Sequence, residues 1–89
     1  MKSFITVIGK DRVGIIASVA TLLAEININI EDISQTVLQG MFTMIMAVNL
    51  DKCELNFVDI AKKLDEKGKQ MDLEISVRHM DIFEAMHRI

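Results

Sequence analysis

The alternation of apolar and polar positions divides the chain into six segments. Residues 2–8 are rich in β-branched and aromatic side chains and stop at Gly9, the signature of a strand. Phe4 and Ile8 alternate with Ile5 and Val7, so both faces are apolar and the strand is expected in the middle of a sheet. Across residues 13–26 the period becomes helical. Ile15, Val19, Leu22 and Ile26 share one track and Ile16, Ala20 and Leu23 its neighbour, while only Ser18, Thr21 and Glu25 fill the polar arc. A face this wide should bury more than a sheet contact alone requires. Asn27 is the expected terminator, because asparagine tolerates the left-handed conformation that closes helices.

Ile28-Asn29-Ile30 opens a second strand that runs to Gln39, with an irregularity expected near Glu31-Asp32, and Gly40 turns the chain back. Residues 41–50 again carry apolar side chains on both faces: Phe42, Met44, Met46 and Val48 against Ile45 and Ala47. This strand is placed centrally beside the first. A second helix is predicted over 54–67, with Phe57, Ile60, Ala61 and Leu64 on one face and Gly68 as its C-cap. Met71, Leu73, Ile75 and Val77 then alternate with Asp72, Glu74, Ser76 and Arg78, a half-exposed strand suited to an edge. The order β-α-β-β-α-β predicts an α+β fold: a ferredoxin-like sandwich with a four-stranded antiparallel sheet and two helices on one face. In the tail, residues 81–89, Asp81 and Glu84 have capping-box spacing, and Ile82, Phe83, Met86 and Ile89 form an apolar stripe. The expectation is a short C-terminal helix packed on the open face of the sheet or on a neighbouring subunit, since it is too short to stand alone.

Composition narrows the function. The 89 residues make a single domain, with no proline and no linker. With 51% hydrophobic residues and only 4% aromatic, the chain has neither tyrosine nor tryptophan to stack on bases, and a net charge of −3 gives no grip on phosphates. Nucleic acid is therefore not an expected partner. No apolar run approaches the ~20 residues of a membrane span, and the N-terminus lacks the features of a signal peptide, so a cytoplasmic, membrane-free protein is expected. The single cysteine, Cys53, excludes an internal disulfide and a cysteine-rich zinc site. His79 and His87 have no partners at metal-ligand spacing, and no metal or cofactor is expected. Cys53 reads as an inert or mildly oxidisable thiol, and Glu31-Asp32 as a solvated bulge rather than an acid/base pair. The seven methionines read as core filling.

The segment with most chemical content is Gly9-Lys10-Asp11-Arg12-Val13-Gly14-Ile15, the loop from the first strand into the first helix. Gly14 in the first turn gives an anion access to backbone N–H groups that a helix leaves unpaired, with Asp11 or Asn29 available to an ammonium group. The plainer reading is a helix start with Asp11 as its N-cap. A hydrolytic reading also exists, in which Arg12 and Asn29 serve a small phosphatase of the acylphosphatase type on the same frame, although the loop is less glycine-rich than such a site uses. A third reading is an oligomerisation module without ligand.

Asp11-Arg12-Val13-Gly14, then Asn29-Ile30 through Gln35, then Gly40 and Phe42-Thr43-Met44, resemble the pattern of the ACT domain, a small ligand-sensing module, over essentially the whole chain. The likeness is greatest to stand-alone ACT-domain proteins and to the ACT segments of formyltetrahydrofolate deformylase and the glycine-cleavage repressor. The resemblance implies a non-catalytic regulatory dimer. It also implies a small effector, an amino acid for example, bound between the loop of one copy and the second strand of its neighbour. Asp11, Arg12, Val13, Gly14 and Ile15 match the first half of that site, and Asn29 and Ile30 the second. Two copies joined through second-strand edges and adjacent first helices would cover the excess apolar surface, and effector binding would then act on a protein partner.

Overall fold

The computed structural model describes residues 1–79, so the tail at 81–89, with its expected helix and His87, lies outside the described residues. The elements follow in the order β1 (Lys2–Lys10), α1 (Ile15–Glu25), β2 (Asn29–Leu38), β3 (Met41–Asn49), α2 (Phe57–Met71) and β4 (Leu73–His79). The strands form one antiparallel sheet in the order β2-β3-β1-β4. This is the expected ferredoxin-like α+β arrangement, with β1 and β3 central and β4 at an edge.

Register explains where the core sits. Ile5 pairs with Met46 and Val77, and Val7 with Met44 and Ile75, so one face carries a row of aliphatic side chains across three strands. Ile15, Val19 and Leu23 of α1 and Ile60 and Leu64 of α2 close over that face in a single buried cluster. The opposite face of β1 and β3 is only partly covered: Phe4, Thr6 and Ala47 are half-buried, and Ile8 and Ile45 exposed.

Four expectations shift. β1 does not stop at Gly9 but continues through it, because Gly9 lies against Leu73 of the neighbouring strand. Gly68 is not a C-cap. It lies buried inside α2, where a Cβ would come within 2.5 Å of the Leu73 carbonyl oxygen, so the missing side chain lets helix and strand approach closely. The cap is Asp72, at φ 55°. Met71 accordingly ends α2 instead of opening β4, and α2 starts at Phe57, not near residue 54, because the Asn56 side chain accepts the Asp59 N–H at 2.8 Å. The other signals hold: Asn27 is left-handed (φ 61°), the register of β2 slips between Ile30 and Asp32, and Gln39-Gly40, both at positive φ, make the tight hairpin from β2 to β3.

Candidate functional site

The loop between β1 and α1 is tied down on two sides. The Asp11 N–H donates to the Gly40 carbonyl at 2.9 Å, joining the loop to the hairpin. The Arg12 guanidinium donates to the Met71 carbonyl at the C-terminal end of α2, where the negative end of the helix dipole favours a cation. Asp11 is therefore not the N-cap of α1. That position belongs to Gly14, in the left-handed region at φ 93°, ψ 0°, and no side chain caps the helix. The helical ladder begins with the Ser18 N–H on the Gly14 carbonyl at 2.9 Å. The N–H groups of residues 15–17 consequently have no intrahelical acceptor, and no acidic residue lies in the first turn. Space beside Gly14 is open, with nothing within 4 Å of where a Cβ would stand, and Val13 projects fully into solvent.

Asn29 and Ile30 lie elsewhere. Asn29 pairs with Asn49, which pairs with Lys2 at the start of β1, whereas the Gly14 loop follows the end of that strand. The length of β1, 9 residues, separates the two groups by about 25 Å. Within one copy the structure thus brings residues 11–15 together and keeps Asn29 and Ile30 at the opposite end of the sheet. The same separation removes the phosphatase-type pairing of Arg12 with Asn29 inside one chain.

Around Asn29 the structure forms an open hollow of about 560 Å³, lined by Ala24, Asn27, Ile28, Asn29, Asn49, Asp51 and Lys52. Asn49, Asp51 and Lys52 escaped the sequence reading. They lie at the end of β3 and in the turn after it, which the hairpin at Gly40 returns to the start of β2. The Asn49 side-chain oxygen accepts the Asp51 N–H at 2.8 Å, and the Asp51 carboxylate pairs with the Met1 amino group.

Between the two ends runs the free edge of β2. Ile33 and Val37 stand opposite the buried Met46 and Phe42, hence on the helix-bearing side, yet they are 41% and 51% exposed. Ile16 of α1 is exposed as well. Solvated edges are commonly blunted by charge, and this one is charged only around its bulge, where Lys2 pairs with Glu31 at 3.3 Å and Asp32 accepts the Ile33 N–H at 2.9 Å. The remaining candidates are held by packing. His79 stacks on Phe57 with centroids 4.0 Å apart, and Cys53 is a half-buried free thiol. Among the described residues no group of three or more His, Cys, Asp and Glu is placed to hold a metal ion, and no helix is long and apolar enough to cross a membrane.

The family model of the ACT domain matches residues 4–78. The chain belongs to the ACT-domain family. ACT domains are regulatory ligand-binding modules, and the likeness to them spans all four strands and both helices. A UPF0237 protein of Clostridium acetobutylicum is 51% identical over 89 residues, all of both chains. An ACT domain protein from Streptococcus pneumoniae superposes with a TM-score of 0.84 at 40% identity, covering 94% of each chain. A formyltetrahydrofolate deformylase from Pseudomonas syringae pv. tomato matches with a TM-score of 0.76 at 25% identity, over 88% of this chain but only 27% of the enzyme. A putative glycine cleavage system transcriptional repressor matches with a TM-score of 0.73 at 27% identity, over 86% of this chain and 44% of the repressor. In the two larger proteins the ACT fold is thus one part of a longer chain.

Proposed function

We propose that this ACT domain is a non-catalytic sensor of a small amino acid, working as a homodimer that binds its effector at the joint between copies and thereby modulates a protein partner. The observation that carries the reading is the state of α1, whose dipole is uncompensated at both ends: no capping side chain or acidic residue at its start, no basic residue in its last turn. Joining two β2 edges antiparallel, about a two-fold axis perpendicular to the sheet, reverses one copy relative to the other. The N-terminus of one α1 then faces the C-terminus of its neighbour, and the Gly14 loop of one copy faces Asn29 and Ile30 of the other. An α-amino acid is the chemical complement of that joint. Its carboxylate accepts the N–H groups that α1 leaves unpaired at its start, from Ile15 on, and its ammonium group meets the carbonyl end and the asparagine side.

In this reading the Asp11 N–H anchors the loop on the Gly40 carbonyl, and Arg12 and Val13 offer the ligand their main chain, the Arg12 side chain being committed to α2. The exposed Ile33, Val37 and Ile16 become the apolar part of the joint. Effector binding favours one relative arrangement of the copies by touching both, which is the condition for regulating a partner.

Calorimetric titration of the full chain with a panel of proteinogenic amino acids is the test, run on the wild type and on Gly14→Leu, whose side chain fills the open space and whose backbone must hold φ 93°. At least one amino acid is expected to bind the wild type, with the heat lost in the variant. Absence of heat from the whole panel overturns the sensor. A monomer at micromolar concentration in sedimentation overturns the dimer.

A further inference from the structure

The face of the sheet opposite the helices carries an apolar strip along its two central strands. In register there, Ala47 stands beside Phe4 and Ile45 beside Thr6, with Ile8 next along β1. The outer strands present polar side chains on the same face, Ser34 and Thr36 on β2 and Ser76 and Glu74 on β4. Both described helices lie on the other side, so Phe4 and Ala47 stand outside the buried cluster. Ile8 and Ile45 are 40% and 36% exposed. The Thr6 and Ser76 hydroxyls are bonded to each other at 2.7 Å, so a covering segment would leave neither of them unpaired. An apolar strip with polar margins and a satisfied hydroxyl in its middle is a surface suited to burial.

We propose that this strip is the docking site of the segment that follows β4, residues 80–89, and that the segment covers the sheet of its own copy. Position favours it first: His79 pairs with Ser3 and Arg78 with Phe4, so the chain leaves β4 next to the Phe4 end of the strip. Shape favours it next. Ile82, Phe83, Met86 and Ile89 share one stripe at helical spacing. A helix over 81–89 is about 13 Å long, close to the span of about 14 Å from β4 to β2 across three strand gaps. Tethering decides between occupants. A segment joined through Met80 meets the strip at an effective concentration of about millimolar, far above that of a second copy in dilute solution. β4 is also the edge away from β2, so a dimer joined through its β2 edges keeps each tail over its own sheet. The inference therefore goes beyond the sensor reading and stands without it. Closing this face directs self-association to the β2 edge, where Ile33 and Val37 stay exposed.

The experiment is nuclear Overhauser spectroscopy on the full-length wild-type protein, isotopically labelled throughout and, in a second sample, mixed with an equal amount of unlabelled protein so that contacts between copies are selected. The expected result is contact between the Phe83 ring and the methyl groups of Ile45 or Ile8 in the labelled sample, absent from the mixed one. No contact between residues 80–89 and the strip overturns the proposal. Tail contacts that persist in the mixed sample assign the strip to a neighbour's tail, and strip-to-strip contacts assign it to a second copy; either result overturns docking on the same sheet. Denaturation gives an independent reading. Phe83→Ser and Ile45→Ser should each lower the midpoint of urea unfolding, and the double variant should lose less than the two losses combined, because each removes the other's partner. An unchanged midpoint for Phe83→Ser, or strictly additive losses, overturns the contact.

Discussion

The two βα halves of this domain treat the same physical problem differently. In the α2–β4 half the requirements of the helix are met locally. Asn56 caps its start, Asp59 and Lys69 sit at the ends that their charges favour, Asp72 closes it, and Gly68 lets it press against Leu73. The α1–β2 half lacks such provisions. Its helix begins at a glycine with no capping side chain, it has no charge complementing either end, and the strand beside it leaves Ile33 and Val37 in solvent. Both halves share one hydrophobic core, so the contrast does not come from poor packing. It marks where helix ends are capped within the chain and where donors and apolar side chains stay exposed. A regulatory domain must hold its ligand surface ready while the rest of the fold supplies stability, and here the division follows the two helices.

Three substitutions would break or sharpen that contrast. The largest effect is expected from Gly68→Ala. Alanine ordinarily favours a helix, but its Cβ would meet a backbone oxygen at 2.5 Å. Helix and strand must separate, and a loss of about 2 kcal/mol in urea unfolding is expected; an unchanged or raised midpoint would show that the close approach is not needed. Next comes Asn56→Ala, which removes the acceptor of the Asp59 N–H. It should cost about 1 kcal/mol, read by the same denaturation, and no loss would mean that α2 is no better capped than α1.

The smallest effect on folding is expected at Ile33→Lys on the free edge. Unfolding measured at submicromolar concentration should change by no more than about 0.5 kcal/mol, while sedimentation at higher concentration should show a loss of self-association. A large loss of stability in the dilute sample would place Ile33 among the contacts of a single copy and erase the difference between the halves.

Much of the fold was legible because its signals are local. The double-sided apolar pattern of residues 4–8 and 41–48 marked the two central strands, and the clean alternation from Met71 to Arg78 marked an edge, although the strand itself starts at Leu73. Two of the differences lie at glycines. Gly9 and Gly68 were read as punctuation, the usual local role, whereas each marks a place where Leu73 comes close. Leu73 is distant in sequence from Gly9, and a contact of that kind leaves no trace in spacing. The plainer reading of Asp11 as a cap fails for a related reason: the loop is held by the Gly40 carbonyl and, through Arg12, by Met71, neither of which is a neighbour in the chain.

The candidate site divides in the same way. Residue type and local period marked the glycine-bearing loop and the excess apolar surface, while Asn29-Ile30 entered as a pair through the resemblance to the ACT pattern. Only the tertiary structure decided that the loop and Asn29 lie at opposite ends of one edge, that Asn49, Asp51 and Lys52 join Asn29 in a single hollow, and that Arg12 is occupied elsewhere. Periodicity reports which face a residue turns toward. Which end of the sheet it occupies, and what stands beside it there, depends on strand order and register, and these are settled by the packing of segments far apart in the chain.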